Sequence, residues 1–345
     1  MRRLVRSAAI ATTRGLTWPD GALDVDGVID RRTFGFPCAT AASIEALSLL
    51  KAQGMTIILD TARSLAEVQA YCAAYGLAGG IAEHGAVLWD AIESREQVCI
   101  GETAREQLER LRGQLRSIPG VFLDNRHQYS IKAFAYRESK AGLLATLRSA
   151  WGSGGDDVGH APLPTLLMNA LFQELKLDQL AYHHTSIDTA VIVKACDKGT
   201  GLLAMRDWLA ASATGDQTAG GDSAPIETVA VGDSEPDIAM FRVATHSFAP
   251  AHIGCAREAR LAGCRIAQAP TQRGFLEIAN EITRIYGKAG ERGVNSSGVR
   301  STSAASTAAA EQGWWLGLLR AADRSSASHM LRALRRPSAL RALFR

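Results

Sequence analysis

The sequence predicts an α/β fold in which helices flank a parallel sheet, with an α+β unit inserted into it and an extension after it. Apolar runs of strand length alternate with helical patterns up to residue 89 and again from residue 189, which is typical of βαβ units. Between these two sections the pattern changes to helices mixed with alternating, half-apolar strands. We therefore expect a core over 20–89 and 186–286, an inserted unit over 90–185, and extensions over 1–19 and 287–345.

The first section of the core is predicted to place two helices between short strands. Ser64 is a suitable N-cap for the second helix, and Gly76 is a stop signal at its end. The predicted elements are a strand ending near Val25, a helix over 40–53, a strand over 55–59, a helix over 64–75, and strands over 80–82 and 86–89.

The inserted unit is predicted from a different periodicity. Residues 129–136 alternate apolar and polar side chains, so this strand should have one covered face and one open face. The other predicted elements of the insert are helices over 103–117, 140–151 and 164–174, strands over 121–123 and 179–184, and a loop over 152–159. The core then resumes with a strand over 190–193, a helix over 200–211, a strand over 228–231, and helices over 237–243 and 273–286.

The formal net charge of +3 is unevenly distributed along the 345 residues. Nine arginines and three acidic residues lie between Glu291 and Arg345, so the rest of the chain is faintly acidic. A nucleic-acid-binding surface needs a basic face. We therefore expect no nucleic acid partner.

Cysteine usage and the N-terminal sequence bear on where the protein is located. The six cysteines are scattered, with no pair at metal-site spacing, which favours reduced thiols and a cytoplasmic protein. The N-terminal stretch is interrupted by Arg6 and Arg14, so we predict no signal peptide. No apolar run approaches the roughly 18 residues of a membrane span.

The C-terminal segment from Trp314 to Arg345 has Leu and Trp at roughly helical spacing and seven arginines after Leu319. Two interpretations stay open. A basic amphipathic helix would bind an anionic membrane surface or a protein partner. Alternatively, the tail is an extension without a role of its own.

Four short motifs carry the candidate chemistry, and each is predicted near the carboxyl end of a strand, where open α/β sheets bind ligands. The first motif contains Asp24 and Asp26 in the sequence Asp-Val-Asp-Gly. One carboxylate can attack phosphorus and bind a metal ion, while the other exchanges protons with the leaving oxygen and with water. Taken alone, the same residues are also typical of a turn after a strand.

The second and third motifs offer groups that can hold a phosphoryl group. In the second, Asp60-Thr61-Ala62-Arg63, a hydroxyl and a backbone amide can bind a phosphoryl oxygen, although a helix cap alone also explains it. In the third, Asp197-Lys198-Gly199-Thr200-Gly201, a lysine can neutralise charge on a nucleophile and on a phosphoryl group. The alternative is a surface lysine at a helix start, which the helix dipole disfavours.

The fourth motif, Gly232-Asp233-Ser234-Glu235-Pro236-Asp237, follows the strand predicted over 228–231. Asp233 and Asp237 can complete an oxygen-rich Mg²⁺ site beside Asp24. Without the other motifs, a turn and an N-cap would explain these residues.

Together the four motifs resemble the haloacid dehalogenase-like (HAD) phosphatases over about residues 20–285, and most of all their Cof-like and sucrose-phosphatase-like branch. The segments Ala82–Ala86 and Ser247–Ala251 also look like that branch. The resemblance implies a Rossmann-like core with an inserted cap, a Mg²⁺ cofactor and hydrolysis of a sugar phosphate or phospho-acid through an aspartyl-phosphate.

The resemblance also implies roles for individual residues. It implies that Asp24 is the nucleophile and Asp26 the general acid and base. It further implies that Thr61 and Lys198 hold the phosphoryl group, and that the metal site comprises Asp24, Asp26, Asp233 and Asp237.

The chain departs from the family pattern at several positions. Ala62 stands where the family has Gly, Pro236 and His84 each stand where it has Asn, and the strand before Asp24 is unusually short. Two alternatives to a hydrolase therefore stay open. One is a catalytically weakened binding or regulatory protein, and the other is a phosphotransferase on the same scaffold.

Substrate selection is expected to depend on basic side chains of the insert. Charged side chains in this pattern are also typical of a solvent-exposed face without a function. The role of each residue in substrate binding is therefore a separate hypothesis. The candidates are Arg63 of the second motif, and Arg126, His127, Lys132, Arg137, His183 and His184.

Overall fold

The computed structural model describes residues 20–24, 28–33, 36–136, 160–185, 187–214 and 227–291. Several predictions lie outside these residues, namely Asp26, Arg137, the helix over 140–151, the loop over 152–159, the N-terminal extension and the tail beyond residue 291. Within the described ranges, no helix is long and apolar enough to cross a membrane.

The larger sheet has eight strands, and the short strand β1 (Asp20–Leu23) lies inside it. β1 pairs in parallel with β13 (Thr228–Val231) on one side and with β4 (Ile57–Asp60) on the other. The remaining strands are β5 (Gly79–Ala82), β6 (Val87–Asp90), β7 (Arg95–Val98), β14 (His246–Ala249) and β15 (Arg265–Ile266). The order is β15-β14-β13-β1-β4-β5-β6-β7, with antiparallel pairing only at β6 and β7. The predicted α/β class is therefore confirmed.

Helices cover both faces of this sheet because its inner strands are apolar on both sides. On one face, α1 (Ala41–Ala52), α2 (Leu65–Tyr75) and α8 (Thr271–Glu291) pack with Leu23 and Leu59. On the other face, α5 (Lys198–Thr214), α6 (Ile238–Val243) and α7 (Ala256–Leu261) pack with Ala22 and Ile58. Each fully buried Leu or Ile of this kind contributes about 1.5–3 kcal/mol. The central strand is short, but it is anchored on both edges and both faces.

The smaller sheet is antiparallel and has its own apolar core. Its strands are β8 (Val121–Leu123), β9 (Ile131–Tyr136), β10 (His160–Ala161), β11 (Leu180–His184) and β12 (Thr189–Val193). The order is β10-β9-β12-β11, and β8 also pairs with β9. Helices α3 (Glu102–Ser117) and α4 (Thr165–Glu174) contribute to the core beneath it. The start of β9 alternates buried and half-buried residues, as its sequence predicts.

Strand pairing differs from the sequence prediction in three places. The strand predicted over 190–193 was expected to be the first strand of the resumed core, but it forms β12, which pairs with β11 and β9 in the smaller sheet. Conversely, β6 and β7 continue the larger sheet to Val98, beyond the predicted boundary at residue 89. A hairpin of β2 (Asp30–Thr33) and β3 (Phe36–Ala39) was not predicted. An apolar run shows that a strand is buried, but it does not show which sheet the strand joins.

Local signals placed the ends of α1 and α2 correctly. Ser64 and Glu67 form a reciprocal capping box at the start of α2. Gly76 ends the helix in the left-handed conformation, with φ of 59°. The start of α5 is less well predicted, since Lys198 is already its first residue.

Candidate functional site

The parallel register brings the ends of three strands to one edge of the larger sheet. Leu23 pairs with Leu59 of β4 and with Val231 of β13. The next residue, Asp24, is buried and donates its backbone N–H to the carbonyl of Val231 at 2.9 Å. Because the second and fourth motifs directly follow β4 and β13, they lie on either side of Asp24.

Lys198 joins the third motif to this edge of the sheet. Its Nζ lies 3.1 Å from Oδ1 of Asp24 and 2.5 Å from Oδ1 of Asp237. Burial alone would lower the pKa of Lys198, but the neighbouring carboxylates, Asp237 first, outweigh it and hold the pKa well above its ordinary value. Lys198 is therefore a buried positive charge in contact with Asp24.

Asp237 organises the loop that follows β13. Its Oδ2 accepts the backbone N–H groups of Asp233 and Ser234 and the hydroxyl of Ser234, each at 2.8 Å. With the bond from Lys198, these donors fill the roughly four acceptor positions of a carboxylate. A Cβ on residue 232 would collide with this carboxylate, so the close approach requires Gly232.

Pro236 does not disturb this loop. It is the second residue of a single 3-10 turn, Glu235–Asp237, where the first N–H groups have no partner within the helix, so the N–H that proline lacks costs no helical hydrogen bond. Among the described residues, the donors to Oδ2 of Asp237 all come from residues 233 and 234. The departure from the family pattern at this position therefore leaves the anchor of the fourth motif intact.

Three carboxylates form a candidate cation site. One oxygen from each of Asp24, Asp233 and Asp237 lies within 4.8 Å of the others. An all-oxygen, anionic donor set suits a hard divalent cation such as Mg²⁺. Since the acceptor positions of Asp237 are filled by the loop and by Lys198, Asp24 and Asp233 are the better direct ligands. Asp237 would support the cation site indirectly, by holding the loop that carries Asp233.

Thr61 presents a hydroxyl at the end of β4. Its side chain is almost fully buried, and its backbone N–H donates to the carbonyl of Ile81 at 3.0 Å. Its Oγ1 accepts the N–H of Arg63 at 3.3 Å. Because the amide of Thr61 is engaged in the sheet, its hydroxyl proton is the group left for a phosphoryl oxygen.

Asp60, which precedes Thr61, is an unusual buried acid. Neither of its carboxyl oxygens has a hydrogen-bond partner among the described residues. Side chains alternate along a strand, so Asp60 points to the face of Ile58, which α5 covers. Burial first, and then nearby acids, raise the pKa of Asp60 well above its ordinary value, although Lys198 opposes them. The protonated form is therefore favoured.

Two histidines meet where the smaller sheet approaches the site. The ring of His84, after β5, packs edge-on against His183 of β11, with 5.6 Å between the ring centroids. The backbone N–H of His84 donates to the carbonyl of Thr61 at 3.3 Å. Burial, and then the charges of His183 and Lys198, lower the pKa of His84 to about 3. His84 is thus neutral at pH 7, beside the second motif.

Two of the predicted substrate-binding arginines form an ion-pair network. Arg126 binds Asp124 at 2.6 Å and Glu67 of α2 at 3.3 Å. Arg63 also binds Glu67 at 3.3 Å, and its guanidinium lies over the ring of Tyr71. These contacts connect the loop before β9 to the helix that follows the second motif. A role of either arginine in substrate binding stays a prediction.

Two other basic candidates, Lys132 and His184, have partners on or next to the smaller sheet. Lys132 Nζ lies 3.1 Å from Oδ2 of Asp188, and about two fifths of its side chain is exposed. His184 Nδ1 lies 2.9 Å from the hydroxyl of Thr189. Their roles in substrate selection also stay predictions.

Glu83 fastens the loop before β9 to the larger sheet, a role that sequence reasoning missed. Its carboxylate accepts the backbone N–H groups of Gln128 at 3.1 Å and Tyr129 at 2.8 Å, and the hydroxyl of Ser130 at 2.7 Å. From the other side, Arg112 donates to three carbonyls of the same loop. Glu83 itself has a left-handed backbone, with φ of 52°. No sequence signal links residues more than 40 positions apart in this way.

Most residues of the predicted centre converge, whereas others lie outside the described part of the chain. Direct contacts join Asp24 to Lys198 and Lys198 to Asp237, and Asp233 shares the loop of Asp237. The positions of Asp26 and Arg137 are not described.

Comparison with known proteins gives a clear result only for structure. No protein-family model matches the chain, and no curated protein matches it in sequence. Among solved structures, the chain is similar to the sucrose-phosphatase from Synechocystis in complex with sucrose and phosphate. That match has a TM-score of 0.51 and 12% identity, and it covers 77% of this chain and 98% of the other.

Two further structures show the same likeness. A haloacid dehalogenase-like hydrolase from Bacteroides thetaiotaomicron matches with a TM-score of 0.51 and 12% identity, over 78% of this chain and all of the other. A HAD/Cof-like hydrolase from Plasmodium vivax matches with a TM-score of 0.50 and 15% identity, over 79% and 97%. The chain therefore has the fold of the HAD-like hydrolases, including the Cof-like and sucrose-phosphatase-like proteins, as its motifs implied.

Proposed function

We propose that this protein is a Mg²⁺-dependent phosphatase that hydrolyses a small phosphorylated metabolite through an aspartyl-phosphate on Asp24. The observation that carries this proposal is the position of Asp24. Its carboxylate is 3.1 Å from the ammonium of Lys198 and within 4.8 Å of the Asp233 and Asp237 carboxylates. A nucleophile, a fixed positive charge and an oxygen-rich cation site thus share one edge of the sheet.

Each group has a defined task in the proposed reaction. Lys198 offsets negative charge on Asp24 and on the incoming phosphoryl group, and the Thr61 hydroxyl donates to a phosphoryl oxygen. Asp24, the backbone carbonyl of Asp26 and Asp233 would hold Mg²⁺. When bound, the ion neutralises charge on the phosphoryl oxygens.

The first step forms a bond between a carboxylate oxygen of Asp24 and phosphorus, as the bond to the leaving oxygen breaks. Asp26 gives its proton to that leaving oxygen, so an alcohol departs. In the second step a water molecule attacks the same phosphorus while Asp26 takes a proton from it. The bond to Asp24 breaks, which regenerates the carboxylate and releases inorganic phosphate.

Asp26 must carry a proton at the start of this cycle. An ordinary aspartic acid has a pKa of about 3.9, so the pKa of Asp26 must be raised for this task at neutral pH. Partial removal of water when substrate occupies the site would raise it. This assignment rests on the sequence motif, and Asp26→Asn should abolish turnover. Full turnover by that variant would disprove it.

The proposed substrates are sugar phosphates and phosphorylated small acids. The similar Synechocystis structure contains sucrose and phosphate, which supports a small polar substrate. Neutral His84 and His183 lie between the second motif and the smaller sheet, where imidazoles can donate or accept hydrogen bonds. We further propose that the reaction takes place in the cytoplasm.

The test is phosphate release by the purified full chain, with Mg²⁺ and a panel of sugar phosphates and phospho-acids. Wild type is expected to release phosphate, and Asp24→Asn is expected to release none. Asp207→Asn is a matched control, since this exposed aspartate on α5 pairs with neighbouring Arg206 and with no other charged side chain of the described residues. It should retain wild-type turnover.

Other outcomes would favour the alternatives. Phosphoryl transfer to an added sugar with little free phosphate would indicate a phosphotransferase. Ligand-induced thermal stabilisation without turnover of any substrate would indicate a binding or regulatory protein. Two observations speak against the weakened alternative: the turn that contains Pro236 keeps its capping box, and the short β1 is paired on both edges.

A further inference from the structure

His252 contacts the candidate cation site from outside the four motifs. It lies on the loop after β14, and its Nε2 is 2.7 Å from Oδ2 of Asp233. Within the described residues, it is the only side chain that forms a hydrogen bond with the Asp233 carboxylate. The orientation of the best available metal ligand after Asp24 thus depends on one imidazole.

The other ring nitrogen determines which tautomer makes this contact. The backbone N–H of Thr271 donates to Nδ1 of His252 at 3.1 Å. A nitrogen that accepts a hydrogen bond carries no proton, so the proton of the neutral ring lies on Nε2. Nε2 therefore donates to Asp233.

The backbone of Thr271 has an N–H group available for this contact and an unusual conformation. Thr271 begins α8, where the first N–H groups have no partner within the helix. It adopts φ of 49°, which is rare for a β-branched residue and indicates a local constraint. The two loops are also joined by a bond from the N–H of Ala251 to the carbonyl of Ala269, at 3.0 Å.

Asp233 and Asp237, the two aspartates of the candidate cation site that follow β13, are therefore held in different ways. Asp237 is saturated by its own loop and by Lys198. Asp233 accepts one bond on Oδ2, which leaves Oδ1 for a cation. A ligand carboxylate that is oriented by a second, fixed hydrogen bond binds metal more tightly than one that must be ordered on binding.

We propose that His252 is a positioning residue that holds the Asp233 carboxylate in its metal-binding orientation, through a tautomer fixed by the Thr271 amide. This inference rests on the cation site of the proposed function. It goes beyond that function by assigning a role to a residue outside the motifs. His252 itself need not contact metal or substrate.

The test is the affinity of the metal-free full chain for Mn²⁺, measured by isothermal titration calorimetry without substrate. His252→Ala should weaken binding about 10- to 100-fold. His252→Gln should restore most of the affinity, because its amide can still donate to Asp233. His246→Ala is the matched control on the same segment, and it should bind like wild type.

Two further measurements separate positioning from a general loss of structure. With substrate, His252→Ala should raise the Mg²⁺ concentration needed for half activation, while kcat at saturating Mg²⁺ stays near that of wild type. Nitrogen-15 NMR of labelled histidine should show the Nε2-protonated tautomer in metal-free wild type.

The possible failures can be told apart. If wild type binds Mn²⁺ and Asp233→Asn does not, but His252→Ala binds with wild-type affinity, this inference alone is overturned. An Nδ1-protonated His252 would also overturn it. If wild type binds no Mn²⁺ at all, the cation site of the proposed function fails and the role of His252 fails with it.

Discussion

The ammonium of Lys198 and the carboxylate of Asp237 form a buried ion pair, with 2.5 Å between Nζ and Oδ1. This pair joins the first turn of α5 to the loop after β13. Because Asp237 is fixed by three further hydrogen bonds, it holds Lys198 where the ammonium also meets Asp24. The position of the positive charge beside the proposed nucleophile is therefore set by the fold.

Replacing Lys198 by Met should abolish phosphate release and lower the free energy of unfolding by about 3–5 kcal/mol, because two buried carboxylates lose their charged partner. The pKa of Lys198 is raised, so its stabilising effect is complete below the ordinary lysine pKa of about 10.4 and is lost only at higher pH. The deficit measured by urea unfolding should therefore stay constant between about pH 6 and 9.

The control for this variant is Lys194→Met. Lys194 is exposed, and among the described residues its side chain donates only to the carbonyl of Asp178. Its loss should change the free energy of unfolding by about 0.5 kcal/mol or less. An equal loss in the free energy of unfolding for Lys198→Met and Lys194→Met would contradict a special role for the buried pair of Lys198 and Asp237.

The parts of the fold that could be predicted depend on local signals. Ser64 and Gly76 mark the ends of α2 because capping and left-handed termination are determined by a few adjacent residues. The convergence of Asp24 and Asp233 was also predictable, since they follow two parallel strands whose ends lie at the same edge of the sheet. The position of Lys198 does not follow in this way, because the strand before it belongs to the smaller, antiparallel sheet.

The parts that could not be predicted depend on contacts between distant segments. The strand β12 joins the smaller sheet through pairing with β9 and β11, which its apolar sequence does not specify. The contact of Glu83 with the loop before β9, and that of His252 with Asp233, likewise join residues far apart in the chain. The face to which Asp60 points follows only from the register of β4.

Asp60→Asn should increase the free energy of unfolding by about 1–3 kcal/mol at pH 7, because the buried carboxyl has no hydrogen-bond partner among the described residues and resists ionisation. Burial raises its pKa in the folded state, so any stability that Asp60 provides is present at low pH and is lost as the pH rises through that pKa. The advantage of the Asn variant should therefore grow with pH, as measured by urea unfolding in EDTA.

Asp90→Asn is the contrasting change. Asp90 is also buried, but its Oδ1 accepts the backbone N–H groups of Ile92 and Glu93. This variant should be less stable than wild type. If Asp60→Asn is also destabilised at pH 7, then Asp60 is charged in the folded protein and acts as a partner of Lys198.

Glu83→Ala should lower the free energy of unfolding by about 2–4 kcal/mol and should loosen the loop before β9, because the amides of Gln128 and Tyr129 lose their acceptor. Hydrogen exchange of these two amides should become faster. Glu174→Ala, an exposed change at the end of α4, should leave both quantities near those of wild type. Unchanged exchange at Gln128 and Tyr129 in the Glu83 variant would show that the loop is held by Arg112 alone.

His84→Asn should make the protein less sensitive to acid. Burial lowers the pKa of His84 to about 3, so below about pH 6.5 the unfolded chain binds a proton at this position that the folded protein does not. The free energy of unfolding then falls as the pH is lowered, with a limit of about 1.4 kcal/mol per pH unit from this group. Asn removes that component and tolerates the left-handed backbone of residue 84, where φ is 60°.

Urea unfolding between about pH 4.5 and 7.5 should give a flatter profile of unfolding free energy against pH for His84→Asn than for wild type. The same change at half-buried His183, whose pKa burial also lowers, should flatten it less. Identical profiles for wild type and His84→Asn would mean that His84 takes up its proton in the folded state, and that the space beside Thr61 is open to water.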